Sequence, residues 1–159
     1  MTSKEETVAN NFYTAFQQKK ANGMIECYSH DLHFEDPAFG KLTYAQTSAM
    51  WTMLCESAKD LSIEYKILKV EDQYVETKWI AEYTFGKTGR FVHNEIIAQM
   101  KFQGGKIIEH IDTFDLYKWA KQAMGLQGWL IGSTPFFKKK LHQQTNSRLT
   151  KYMQKNNLE

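Results

Sequence analysis

Cysteine is scarce in this chain of 159 residues: Cys27 and Cys55 lie far apart, outside any CxxC or Cys/His spacing. That argues against a disulfide framework or a zinc motif and leaves two free thiols as the expectation. Long apolar runs are missing too. No stretch approaches the roughly 20 residues needed to span a bilayer, and the start, Met1-Thr2-Ser3-Lys4-Glu5-Glu6, lacks the apolar core of a signal peptide. A soluble, cytoplasmic protein with no stable membrane insertion is therefore expected. The chain shows no internal repeat, no low-complexity segment, no phosphate-binding loop and no Ser, His and Asp in a recognisable order. Nothing in it implies a metal or a cofactor.

Hydrophobic residues make up 42% of the chain and aromatic ones 14%, enough for one domain with a substantial core. The net charge of +2 hides an asymmetry: residues 133–159 hold six Lys/Arg against one Glu, and the preceding chain fourteen against seventeen Asp/Glu. The sequence thus divides into a body, residues 1–132, and a basic extension, residues 133–159. A basic tail can attract nucleic acid or an anionic membrane. Here Phe136, Phe137, Leu141, Leu149, Tyr152 and Met153 are interleaved with the cations, which reads as an amphipathic helix packed on its own domain or on a partner subunit. Phe136, Phe137 and Leu141 are its expected buried contacts, and no nucleic-acid partner is expected.

The chemistry gathers in Gly104-Gly105-Lys106-Ile107-Ile108-Glu109-His110-Ile111-Asp112-Thr113-Phe114-Asp115. A double glycine supplies a turn, and the β-branched and aromatic run after it reads as a strand. Strand alternation puts Ile108, His110, Asp112 and Phe114 on one face and Ile107, Glu109, Ile111 and Thr113 on the other. A histidine and a carboxylate between apolar neighbours can form a proton-transfer site. Asp112 can equally accept hydrogen bonds from His110 or Asn94 only to satisfy a polar pocket.

Ser3-x-x-Glu6 has the form of a capping box, followed at helical spacing by Val8, Phe12, Ala15 and Phe16. Asn22 can cap a short second helix through about Ser29, before the extended Leu32-His33-Phe34-Glu35-Asp36-Pro37. Proline ends strand pairing, so Asp36 falls at a strand end, as a second candidate acid or base or as a turn-former. Thr43-x-x-Gln46 opens a helix through about Lys59 with Thr47, Trp51, Leu54, Cys55 and Ala58 on one face. Strands then read over residues 61–70, 74–85 and 91–102, with Gly86-Lys87-Thr88-Gly89 as a hairpin turn. Val75, Thr77, Trp79, Ala81, Tyr83 and Phe85 share a face, as do Val92, Asn94, Ile96, Ala98, Met100 and Phe102. His93, Glu95, Gln99 and Lys101 point the other way. Residues 116–124 return to a helix. Helices, a meander of long strands and helices again imply an α+β fold with a pocket between helices and sheet.

On these motifs the chain resembles SnoaL-like members of the nuclear-transport-factor-2-like superfamily over about residues 5–124. The passage from Asp115-Leu116-Tyr117-Lys118-Trp119 to Met124-Gly125, with the later Gly132-Ser133-Thr134-Pro135, is similar to one subgroup. The resemblance implies a cone-like fold, a curved and mainly antiparallel sheet covered by N-terminal helices, with the extension as a C-terminal helical addition. The superfamily includes ketosteroid isomerases, polyketide cyclases, limonene-epoxide hydrolases and non-catalytic proteins, so the fold alone does not decide the activity.

Laid on a ketosteroid isomerase, Asp36 takes the place of the proton-shuttling base, but Phe12 and Ala98 stand where that enzyme has its oxyanion-binding tyrosine and protonated aspartic acid. Without those donors, several kcal/mol of transition-state stabilisation is missing, which argues against that mechanism. Laid on an epoxide hydrolase, Asp112 takes the place of the catalytic acid or base, with Trp79 and Ala81 at its Arg and second Asp. SnoaL-like cyclases, which use an aspartate on a carbonyl substrate, demand the fewest further groups. The expected catalytic set is thus Asp112, Asp36 and His110, with Phe12, Tyr28, Phe39, Trp51, Trp79, Tyr83, Asn94 and Ala98 facing a small apolar molecule. The expected function is acid/base isomerisation or cyclisation of an apolar carbonyl compound. The alternative is a non-catalytic ligand-binding or homodimeric assembly module of the same fold, and in either case a homodimer paired through the outer sheet face is expected.

Overall fold

The structure, a computed structural model, describes residues 1–158. Helix α1 (Lys4–Gln17) begins where the Ser3 hydroxyl accepts the Glu6 N–H at 3.0 Å, and it buries Phe12, Tyr13 and Phe16. Helix α2 (Ala21–Ile25) has Lys20 at its N-cap, so Asn22 lies inside it rather than capping it. It stops short of Ser29 because β1 (Tyr28–Asp36) begins earlier than expected, with Tyr28 drawn into pairing with Ile107. A short β2 (Gly40–Leu42) leads to α3 (Tyr44–Ser57), where Thr43 and Gln46 form the reciprocal capping box, with bonds of 3.3 and 2.9 Å. Its buried face centres on Thr47, Met50 and Trp51. Leu54 and Cys55 lie half-buried at its margin, and Ala58 is already extended.

Strands β3 (Ser62–Glu71), β4 (Tyr74–Thr84), β5 (Phe91–Gln103) and β6 (Lys106–Thr113) complete a six-stranded sheet in the order β2-β1-β6-β5-β4-β3. Every pairing is antiparallel except β1 with β6. This is the expected α+β cone: β4 and β5 bury one residue in two, and the N-terminal helices cover that face. Gly104 and Gly105 make the β5–β6 turn with φ of +59° and +78°, left-handed values that other residues adopt at a cost.

One expectation fails inside β6. Phe102 pairs with Ile107 and Lys101 with Glu109, so Ile108 is the extra residue of a β-bulge. Ile107, not Ile108, therefore shares the buried face with His110 and Asp112.

Beyond the sheet, α4 (Leu116–Met124) is capped by the Asp115 carboxylate, which accepts the Lys118 N–H at 3.0 Å. The glycines that follow do not mark a mere connection. Leu126–Ile131 forms a separate helix, α5, packed so closely on α4 that a Cβ at Gly128 would lie 2.0 Å from the Ala120 carbonyl oxygen. Helix α6 (Pro135–Lys155) starts on a Thr134 cap with proline at its first turn. It buries Phe137 in a satellite core with Val92, Trp119, Ala120 and Ala123, and Leu149 in the main core. Leu141 is half-buried, but Phe136 is 67% exposed, against expectation. Adjacent helical residues point about 100° apart, so only one of the two phenylalanines can face the body. Among the described residues, no helix is long and apolar enough to cross a membrane.

Candidate functional site

The floor of the cone carries a chain of hydrogen bonds that runs from α3 through β1 to β6 and β4. Trp51 Nε1–H donates to Tyr28 Oη at 2.9 Å, and Tyr28 Oη lies 2.8 Å from His110 Nδ1. His110 Nε2 lies 2.9 Å from Asp112 Oδ1, which also accepts Trp79 Nε1–H at 3.3 Å. The donors fix the polarity. Tyr28 already accepts from Trp51, and burial pushes its hydroxyl well above the usual range, so it stays protonated and donates to Nδ1. Because Nδ1 accepts, Nε2 carries the ring N–H and donates a hydrogen bond to Asp112 Oδ1.

The sequence dictates this locally in a simple way. His110 and Asp112 are two residues apart on one strand face, so their side chains stand next to each other. Aromatic rings close around the imidazole: Phe12 at 5.5 Å, Phe34 at 5.1 Å, Tyr28 at 6.0 Å and Trp51, nearly stacked, at 6.4 Å between centroids. His110 is wholly buried and Asp112 is 4% exposed. The second oxygen of Asp112 has no hydrogen-bond partner among the described residues, so it is the free end of the network.

Asp36 stands at the end of β1. Its Oδ1 accepts the backbone N–H groups of Ala38 and Phe39 at 2.9 and 2.6 Å, the turn geometry that an aspartate before proline favours. Burial, helped by the nearby Asp112 charge, lifts its pKa to about 7 against those opposing amide bonds. A carboxyl with that value is close to half-protonated at neutral pH.

Of the expected wall residues, Phe12, Tyr28, Trp51 and Trp79 surround the pair, and Ala98 sits directly across from Asp112 in the β5–β6 register. Tyr28 does more than line a wall, since it fixes the His110 tautomer. Phe39 contributes its backbone N–H to Asp36. Tyr83 is drawn under α4, where its hydroxyl accepts Trp119 Nε1–H at 2.8 Å. Asn94 pairs across from Ala81, about 13 Å along β5 from Ala98, and makes no bond to Asp112.

Two polar residues near the site were not among the expected site residues. The hydroxyls of Tyr13 and Thr77 are fully buried without a hydrogen-bond partner, although Thr77 lies near enough to Tyr13 to oppose the upward pull of burial on its pKa. Thr77 was legible as inward-facing on β4; Tyr13, next to Phe12 on α1, gave no signal beyond its helical position.

Helix α6 is fastened to the turn that follows β1. Its His142 imidazole contacts the Pro37 carbonyl at 2.8 Å, and Thr145 and Asn146 donate to the carbonyls of Ala38 and Phe39 at 3.0 and 2.9 Å. The same short turn therefore holds Asp36 with its amides and α6 with its carbonyls. Surface depressions of about 570 and 340 Å³ lie elsewhere, one beside α2 and α3 at Lys19, Asn22 and Glu56, the other between α3 and α6 at Met53 and Tyr152. Neither reaches His110. Burial pushes the Cys27 thiol up to about 11, which leaves no reactive thiolate there at neutral pH. Among the described residues, no group of three or more His, Cys, Asp or Glu is placed to hold a metal ion.

The SnoaL-like domain family matches residues 9–110, and the chain belongs to that family. Solved structures similar to it include an LEH-like epoxide hydrolase from M. tuberculosis, 19% identical over 83% of this chain and 98% of that one, with a TM-score of 0.63. IdmH, a candidate polyketide cyclase from Streptomyces antibioticus, is 16% identical over 74% and 96%, with a TM-score of 0.64. TerC, co-crystallised with polyporic acid, is 14% identical over 76% and 98%, with a TM-score of 0.66. At these identities the likeness is one of fold. No curated protein matches the chain.

Proposed function

We propose that this chain performs acid/base chemistry on a small apolar carbonyl compound, as a cyclase or an isomerase. The observation that supports this most is the buried His110–Asp112 pair with one free carboxylate oxygen and a second acid, Asp36, poised near neutrality. Two carboxyl groups in different environments are what a split between base and acid requires. Asp112 takes the proton from the carbon beside the carbonyl, and the C–H electron pair moves into the enolate. Asp36 in its neutral form keeps its proton and donates a hydrogen bond to the oxygen that gains charge. Return of the proton to a different carbon isomerises the compound; attack of the enolate carbon on a second carbonyl, whose oxygen takes the proton, closes a ring. His110 is a positioning residue that holds the Asp112 carboxylate in place. The aromatic walls select an apolar substrate.

A non-catalytic binding or assembly module is the second reading, favoured by the burial of His110 and Asp112 and by the contacts of α6 with the turn at residues 37–39. We also infer a cytoplasmic homodimer. Its thiols are unpaired, and half-buried Ile80 and Ile97 accompany the Lys78–Glu95 ion pair on the outer sheet face that carries His93, Glu95, Gln99 and Lys101.

The test is to incubate the protein with apolar ketones and 1,3-diketones in deuterated water, following α-carbon deuteration by mass spectrometry and binding by tryptophan fluorescence. Deuteration that vanishes in Asp112→Asn while binding persists supports the enzyme. Binding without deuteration in the wild type moves the assignment to the module, and neither signal sinks both.

A further inference from the structure

Helix α5 and the start of α6 expose an apolar patch that the core does not use. Leu126 is 72% exposed, Trp129 56%, Leu130 61% and Phe136 67%. The first three fall at i, i+3 and i+4, so they share one helix face, and Phe136 follows after the short connection to Pro135.

Cations border this patch. On α6, Lys139 and Lys140 fall at i+3 and i+4 from Phe136, on its side of the helix, and both are exposed. Lys121 Nζ lies 4.5 Å from the centre of the Tyr117 ring, whose hydroxyl donates to the Trp129 carbonyl at 2.8 Å. The Arg90 guanidinium lies so near Gly125, the residue before Leu126, that a Cβ there would meet it at 3.1 Å. From Leu116 to Leu158 the sequence has no Asp or Glu. The patch therefore carries positive charge with no internal counter-charge.

We propose that the α5–α6 corner docks on the surface of an anionic bilayer, with Leu126, Trp129, Leu130 and Phe136 entering the headgroup boundary and the lysines meeting lipid phosphates. The chemistry selects this partner over the others. A second copy of the chain would bring two cationic borders together, which costs free energy. A nucleic acid would satisfy the lysines but leave Leu126 and Leu130 unmatched, since aliphatic side chains neither stack on bases nor pair with phosphates. A bilayer interface takes both: tryptophan and phenylalanine settle at headgroup depth, and lysine stems lie along apolar surface while their charges stay at the phosphates. The chain lies on the membrane and does not span it. This inference stands apart from the catalytic reading, because none of its residues touches His110 or Asp112.

The full chain tests it directly. Trp51, Trp79 and Trp119 are 3%, 8% and 9% exposed, so a blue shift of tryptophan emission on adding vesicles reports Trp129. The protein should float with phosphatidylcholine vesicles containing one-third phosphatidylglycerol, not with pure phosphatidylcholine, and rising salt should weaken the association. Each of K139E and K140E should lower partitioning by at least about fivefold. Trp129→Ser combined with Phe136→Ser should lower it by about tenfold or more at an unchanged melting temperature, since both side chains are exposed. Equal flotation on neutral and anionic vesicles would overturn the proposal. So would vesicle binding undiminished in the Trp129→Ser, Phe136→Ser variant, or a wild type that ignores vesicles and whose solution mass falls on that double substitution.

Discussion

Asp36→Asn should convert a pH-dependent liability into stability at alkaline pH. In the folded chain the Asp36 pKa is raised from 3.8 to about 7, chiefly because burial disfavours its charged form. Below the unfolded value the group is protonated in both states and has no effect. As pH climbs through the window from 3.8 to about 7, the unfolded chain releases the proton that the folded chain keeps, so stability falls; above that window the loss is complete. A shift of this size corresponds to at most about 4 kcal/mol at about 1.4 kcal/mol per pH unit. Asp36 is only half-buried, and solvent screening reduces the expected loss to about 2 kcal/mol. Asparagine keeps an oxygen to accept the Ala38 and Phe39 amides while removing the charge. Urea unfolding at pH 4 should therefore show the two proteins nearly equal, and at pH 8.5 the variant should be more stable by about 2 kcal/mol, equivalent to about 4–8 °C in melting temperature for a domain of this size. A difference between the two proteins that does not change with pH would refute the burial of this carboxyl as the cause.

Tyr28→Phe should destabilise by about 1–3 kcal/mol for each of the two partners it abandons, the Trp51 N–H and His110 Nδ1. Nitrogen-15 NMR of the variant should show the His110 tautomer no longer fixed; an unaltered ring spectrum would count against the proposed polarity. Gly128→Ala places a methyl where the Ala120 carbonyl already stands, so it should cost about 1–3 kcal/mol or more in thermal unfolding, and a neutral result would mean that α4 and α5 pack more loosely than described. Light scattering at micromolar concentration should give twice the monomer mass, because the outer sheet face is proposed to pair; a monomeric mass removes that interface.

Much of the architecture was legible because its signals are local. Thr43 with Gln46, Ser3 before Glu6, and Gly104-Gly105 each act within a few residues, and the alternation in β4 and β5 reports one buried face wherever a strand is regular. His110 and Asp112 were found together for the same reason. The rest depends on distant partners. Nothing in the sequence announces that Ile108 bulges, because the bulge is set by the β5–β6 register. Tyr28 begins a strand instead of ending a helix because Ile107 lies beside it. The contacts of His142, Thr145 and Asn146 with residues 37–39 join segments separated by more than a hundred positions, and no periodicity encodes that meeting. Asn94 was misjudged as a partner of Asp112 because face was read correctly and position along the strand was not.

The central claim is that Asp112 moves a proton and Asp36 assists as the acid, and the pH profile of α-carbon deuteration tests it most directly. Wild-type exchange of an apolar ketone that the protein binds should decline as pH rises through about 7, where Asp36 loses its proton. Asp36→Asn should lack that decline, and Asp112→Asn should abolish exchange at every pH while still binding the ketone. Exchange at the wild-type rate in Asp112→Asn would contradict the account.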